Sequence, residues 1–221
     1  MNSIAPTKSR IYTISGLGAD ERVFKNLEST EYELIHLAWQ NPLPHENLKA
    51  YARRIAAEIP DEKPILMGLS FGGLLAQELA QLLNARGLIL ISSFTRPSEL
   101  PSFYRFASKA KLYKLLPASL MPYFGKINNY LFGIKKAKDK ALLADIIRKT
   151  DPKFVKWAVN ELMQFKGIDN PTYSLLRFHG DKDRLIPYRG EELILIKNAG
   201  HFMVHLQANQ LKPLITDFLK T

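Results

Sequence analysis

The chain has 221 residues, 46% of them hydrophobic, enough for one substantial core and better suited to one domain with an insertion than to two independent domains. It contains no cysteine, which excludes disulfides, thiolate catalysis and thiolate metal sites, and no run approaches the roughly 18 apolar residues of a membrane span. The formal charge of +10 is concentrated: Pro97 to Lys166 holds 14 Lys and Arg against 5 Asp and Glu, net +9, and the remainder holds 17 against 16, net +1.

Met1 to Arg10 is polar and lacks the apolar segment of a signal peptide, so a cytoplasmic location is expected. The first apolar run, Arg10 to Ser15, predicts a strand and leads into Ser15-Gly16-Leu17-Gly18. Without a following Gly-Lys-Ser/Thr, that loop is a strand-to-helix turn rather than a phosphate cradle. Glu33 to Trp39 predicts a second strand, and His45 to Ile59 places Leu48, Tyr51, Ala52, Ile55 and Ile59 at helical spacing.

Pro64 to Leu69 predicts a third strand, followed by Gly68-Leu69-Ser70-Phe71-Gly72 and a helix over Phe71 to Leu83. A serine hydroxyl is a weak nucleophile, and a sharp strand-to-helix turn exposes it to a base on one side and backbone N–H groups on the other. Glycines two residues before and after Ser70 remove side chains that would collide there. On that helix Gln77 and Glu78 are read as exposed or capping residues. Gly87 to Ile91 predicts a fourth strand. Near-continuous apolar runs separated by helices imply a mostly parallel sheet buried on both faces.

Roughly 80 residues then pass before the next strand, too many for a loop. Helical patterns over Phe103 to Leu116, Lys135 to Thr150 and Pro152 to Phe165, punctuated by Pro117, Pro122, Gly125 and Gly133, predict a helical insertion. Its boundaries are residues 96–167, between core segments 1–95 and 168–221. Phe103, Tyr104, Phe106, Tyr113, Tyr123, Phe124, Tyr130, Phe132 and Trp157 are its candidates for lining a pocket; its positive charge suits anionic substrates, acidic lipid headgroups or nucleic acid, and is equally the ordinary pattern of solvated lysines on amphipathic helices.

Ser174 to Phe178 predicts the fifth strand and runs into two carboxylates, Asp181 and Asp183, either able to orient an imidazole. Glu192 to Lys197 predicts the sixth, which turns through Asn198-Ala199-Gly200 to His201. An imidazole, with an unperturbed pKa of about 6.5, accepts and returns a proton near neutrality. His36, His45 and His179 suggest no chemistry, and His205 is the sole competitor for the base. No metal-ligand spacing occurs, so neither metal nor cofactor is called for.

The chain resembles the α/β-hydrolase superfamily over nearly its whole length, in the serine turn, in Gly180-Asp181-Lys182-Asp183-Arg184-Leu185-Ile186-Pro187 and in the histidine turn. The resemblance implies an α/β-hydrolase fold with a compact six-stranded sheet, lacking the two antiparallel strands that usually come first, and a helical lid at residues 96–167. It assigns Ser70 as nucleophile, His201 as base and Asp183 as acid, leaving Asp181 to the turn. Backbone N–H groups of Leu17 and Phe71 would form the oxyanion hole, although Ser15 stands where the superfamily usually has histidine. The implied activity is hydrolysis of a small carboxylic ester, with thioester, lactone and carbon–carbon bond hydrolysis also open. A non-catalytic or single-turnover ligand-binding or signalling protein on this scaffold is the alternative. The expected partner is a small acyl molecule, anionic ones included, and not nucleic acid.

Overall fold

The computed structural model describes residues 8–111 and 125–220. Six strands, β1 (Ser9–Ile14), β2 (Tyr32–His36), β3 (Ile65–Leu69), β4 (Gly87–Ile91), β5 (Ser174–Gly180) and β6 (Ile194–Ile196), form one sheet in the order β2-β1-β3-β4-β5-β6. Every pairing is parallel, so the mostly parallel sheet expected is entirely so. In this order the chain reverses direction across the sheet beside β1 and β3, a position where ligand sites form at the strands' carboxyl ends.

Burial explains the unbroken apolar runs. Tyr12, Leu66, Leu88 and Leu90 point into one core, whereas Ile11, Ile65, Met67, Ile89 and Ile91 point into the other, as the two-residue side-chain period requires. Helices α1 (Leu48–Ile55) and α2 (Phe71–Leu82) cover the first face. Helices α7 (Met203–Leu206) and α8 (Ala208–Leu219) cover the second, with a 3-10 helix at Glu21–Leu27.

Some boundaries differ from expectation for local reasons. α1 starts at Leu48 because Asn47 caps it, its side chain accepting from the Ala50 N–H at 2.9 Å, and because His45 takes φ 62°. β6 is shorter than predicted because Glu192 and Asn198 both adopt positive φ on either side of it. Gln77 is buried, not exposed or capping: its amide donates to the Gly73 and Phe94 carbonyls, each at 3.0 Å.

Between β4 and β5 lie α3 (Ser102–Lys109), α4 (Gly125–Leu131), α5 (Ala137–Lys149) and α6 (Pro152–Gln164). α4 falls where the sequence suggested only punctuation. The predicted helix after Phe103 is described as far as Lys109, with Lys111 at φ 54°; Tyr113, Leu116, Pro117, Pro122, Tyr123 and Phe124 lie outside the described residues. α6 begins as its sequence dictates, with Pro152 in its first turn and Asp151 accepting from the Lys153 N–H. Phe154 and Ala158 of α6 join the first core, and Leu143 and Ile146 of α5 join the second. The insertion thus contributes side chains to both cores. Among the described residues no helix is long and apolar enough to cross a membrane.

Candidate active site

Ser70 sits between β3 and α2 with φ 52° and ψ −121°, a strained backbone for a residue with a side chain. Hydrogen bonds hold it there: its N–H donates to the Ile91 carbonyl at 2.9 Å, and its carbonyl accepts from the Gly73 N–H and the Ser93 hydroxyl. The flanking glycines are steric requirements. A Cβ on Gly68 would lie 2.4 Å from the Gly73 Cα, and one on Gly72 would lie 2.2 Å from the Ser15 carbonyl oxygen.

His201 reaches this serine from the turn after β6. Its Nε2 is 2.9 Å from Ser70 Oγ, and its Nδ1 is 2.7 Å from Asp183 Oδ2. An ionised carboxylate only accepts, so Nδ1 carries the proton and Nε2 is left to accept from the Ser70 hydroxyl. Asp183 Oδ1 takes the Leu185 and Ile186 N–H groups at 3.0 and 2.9 Å. Burial pushes the Asp183 pKa up, but His201, His179 and the Ile186 N–H outweigh it and hold the carboxyl well below the usual range.

Asp181 is exposed and plays the turn role. Its carboxylate accepts from the Ala199 N–H at 3.1 Å, and the Lys182 N–H donates to the Ala199 carbonyl at 2.9 Å. The acid turn and the histidine turn are thereby cross-tied. Gly180 must be glycine for this approach, since a Cβ there would meet the Ala199 carbonyl oxygen at 2.3 Å. His205 faces away from Ser70, its Nε2 3.6 Å from Asp139 of α5. His36 is partly buried, its Nδ1 3.4 Å from the Thr13 hydroxyl, and His45 is exposed.

The Ser15–Gly18 loop lies beside the serine, an ideal Cβ on Gly16 falling 3.7 Å from Ser70 Cβ. Ser15 is fully buried, and its hydroxyl donates to the Ala19 carbonyl, stitching the loop in place of the superfamily's usual histidine. Trp39 Nε1 donates to the Gly16 carbonyl at 3.0 Å while the indole stacks on Phe71 at 5.4 Å. Just after α5, Thr150 donates to the Gly18 carbonyl at 3.0 Å. Among the described residues, no acceptor pairs with the N–H of Leu17 or Phe71. Two donors without an acceptor among the described residues, one of them on the residue after Ser70, suit a developing oxyanion.

A cavity of about 250 Å³ opens on Ser70 and His201. Its described lining is overwhelmingly apolar, including Leu17, Leu131, Leu143, Ile146, Leu162 and Met163. Of the nine aromatic candidates, Tyr104 and Phe132 line it, the latter edge-on to the His201 ring at 5.3 Å. Trp157 packs instead on Tyr51 and Phe71, and Phe103, Phe106 and Tyr130 are exposed. Among the described lining residues there is no lysine or arginine. The described Lys and Arg side chains of the insertion are all exposed. Among the described residues no group of three or more His, Asp or Glu is arranged to hold a metal ion.

The match to the family model decides the ancestry of this arrangement. It runs over residues 12–211 and is described as the alpha/beta hydrolase family. The chain belongs to the alpha/beta hydrolase family. Its sheet, six-stranded and flanked by helices, is similar to several solved structures of alpha/beta hydrolases. An esterase from Thermogutta terrifontis is 18% identical, with a TM-score of 0.69 and coverage of 97% of this chain and 90% of that one. A hydrolase from Oleispira antarctica is 13% identical, TM-score 0.73, covering 97% and 92%. An esterase from Exiguobacterium antarcticum is 15% identical, TM-score 0.72, covering 96% and 92%. No curated protein matches the sequence. Identities this low carry the fold alone.

Sequence reasoning passed over His179. It is buried at the end of β5, and its Nε2 lies 2.7 Å from the Ile186 carbonyl and 3.3 Å from Asp183 Oδ2. A carbonyl oxygen only accepts, so this nitrogen is protonated and directs its hydrogen towards the acid turn. Its place two residues before Asp181 on a buried strand was the available signal. Trp39 and Thr150 were likewise missed, because their roles come from contacts 23 and 132 residues away in sequence.

Proposed function

We propose that the protein is a serine hydrolase of small, uncharged carboxylic esters, working in the cytoplasm through an acyl-enzyme. The observation that carries this reading is the unbroken series from Ser70 Oγ through His201 to Asp183, at 2.9 and 2.7 Å, opening on the apolar cavity. Ser70 Oγ attacks the ester carbonyl as His201 Nε2 takes its proton. Asp183 holds the imidazole in the required tautomer and stabilises the imidazolium. The carbonyl oxygen, now negative, is received by the Leu17 and Phe71 N–H groups. Collapse expels the alcohol with the proton from His201. A water activated by the same nitrogen then attacks the acyl-enzyme, and Ser70 is restored.

Cavity size and lining support the substrate class. At about 30 Å³ per small group, 250 Å³ accommodates roughly eight non-hydrogen atoms, and the described lining residues offer no cation for a carboxylate or phosphate. In this reading residues 96–167 act as the lid: α5 and α6 wall the cavity, and Thr150 braces the oxyanion loop. A turnover assay and a labelling assay test the proposal. Short p-nitrophenyl esters should be hydrolysed repeatedly by the wild type and not by Ser70→Ala, with chain lengths beyond about eight carbons disfavoured. Labelling of Ser70 by a fluorophosphonate without ester turnover would favour the ligand-binding alternative.

A further inference from the structure

α3 and α4 each contact the acid turn, on consecutive residues. Tyr104 of α3 donates its hydroxyl to the Leu185 carbonyl at 2.9 Å, and the Tyr130 carbonyl and ring of α4 receive the Arg184 guanidinium. Their inward faces are accounted for: Tyr104, Asn128 and Leu131 line the cavity, and Ser108 donates to the Met163 carbonyl of α6. Their outward faces are apolar where a water-facing helix should be polar. Phe103 and Phe106 on α3 are 72% and 63% exposed, and Ile127 and Tyr130 on α4 are 54% and 62% exposed, each pair at i,i+3.

The charged residues these helices carry are all basic: Arg105 and Lys109 on α3, with Lys111 just after it, and Lys126 on α4 are exposed, Arg184 lies over the Tyr130 ring, and neither helix contains an Asp or Glu. Apolar side chains interspersed with cations match the two attractions of an anionic lipid surface: transfer of hydrocarbon into the acyl region, and attraction of each basic residue to the headgroups. A second copy of the chain is a poor occupant, because it would bring the same basic residues against one another and both copies carry +10.

We propose that the outer face of α3 and α4 docks the protein on anionic lipid surfaces, with Phe103, Phe106, Ile127 and Tyr130 entering the interface and the basic residues on the headgroups. Docking in this pose sets the cavity walls formed by Tyr104, Asn128 and Leu131 directly behind the lipid contact, so that esters dissolved in the lipid reach Ser70 without crossing bulk water. That consequence rests on the hydrolase reading; the docking itself does not.

The test is co-sedimentation with phosphatidylcholine vesicles made with and without phosphatidylglycerol. Wild type and Ser70→Ala should bind the mixed vesicles equally, at least tenfold more tightly than pure phosphatidylcholine, with binding weakened by salt. The double substitution Phe103→Ser with Phe106→Ser leaves charge unchanged and should lower the partition coefficient by roughly tenfold or more. The same variant should keep wild-type turnover of a soluble short ester, or wild-type circular dichroism should the enzyme prove inactive, showing that it is folded. No binding to mixed vesicles, binding indifferent to the double substitution, or equal binding to neutral vesicles would overturn the proposal. So would a dimer in sedimentation velocity that the double substitution splits, which would assign the face to a second copy.

Discussion

Replacing Gly72 by alanine isolates the close approach between the serine turn and the oxyanion loop. The added Cβ would lie 2.2 Å from the Ser15 carbonyl oxygen and 2.4 Å from that of Ile14, both backbone atoms that cannot rotate away. Opening the shorter contact to 3.0 Å, a distance below which real Cβ atoms essentially never go, requires 0.8 Å of relative movement. That movement falls between Leu17 and Phe71, whose N–H groups in the proposed mechanism must stay about 2.7–3.1 Å from one oxyanion. Loss of one such donor costs about 10²–10³-fold in kcat. The stability change is smaller: overpacking costs about 1–3 kcal/mol, and alanine in a helix regains about 0.5–1 kcal/mol over glycine. The assay is kcat/KM for p-nitrophenyl butyrate alongside urea unfolding, with Gly125→Ala as control, because a Cβ on Gly125 meets nothing within 4 Å. A folded Gly72→Ala enzyme within about threefold of wild-type kcat/KM would refute the reasoning.

Asp183→Asn should lower kcat by roughly 10⁴-fold and Asp181→Ala by less than about tenfold; the reverse ranking in steady-state assays would put the acid at Asp181. Because the folded-state pKa of Asp183 is depressed, its carboxylate contributes stability in full above the unfolded value of about 3.9 and loses it as pH falls towards the folded value. The stability gap between wild type and Asp183→Asn, measured by urea unfolding, should therefore shrink on acidification below about pH 4, and a gap that widens contradicts this. His179→Ala should reduce kcat roughly tenfold and move the acid limb of the pH–rate profile upwards by removing a donor that favours ionised Asp183, while His179→Gln, still able to donate towards Ile186, should restore part of both. An unmoved limb in His179→Ala would make that residue merely structural. Trp39→Phe removes the donor to the Gly16 carbonyl and should lower kcat about tenfold with KM little changed; a change confined to KM would assign Trp39 to substrate binding instead.

What the sequence made legible was what repeats locally. β3 and β4 are wholly buried, so their unbroken Ile, Leu and Met runs declared strands, and Ser70 between glycines declared the turn that links β3 to α2. Asp183 and His201 were candidates from chain order, with the superfamily resemblance choosing Asp183 over Asp181, and the structure brings both to Ser70. Side chains whose role depends on a distant partner were opaque. Gln77 looked like a surface glutamine because nothing local announces that its amide bridges Gly73 and Phe94. His179 looked idle because its partner, the Ile186 carbonyl, is positioned only once the acid turn folds. α4 was hidden because its apolar residues Ile127 and Tyr130 face outward, which erased the periodicity a buried helix would display. The insertion's charge was visible, but its direction was not: the described lysines and arginines face solvent rather than the cavity.

The central claim, that Ser70 forms an acyl-enzyme driven by His201, is tested most directly by trapping that intermediate. Wild-type protein mixed with p-nitrophenyl butyrate and quenched in acid within the first turnover should gain one butyryl group, located by peptide mass spectrometry on Ser70. Ser70→Ala should gain none, and His201→Ala should acylate at least about 10³-fold more slowly. Ester turnover that survives in Ser70→Ala, or a butyryl group found on another residue, would contradict the account.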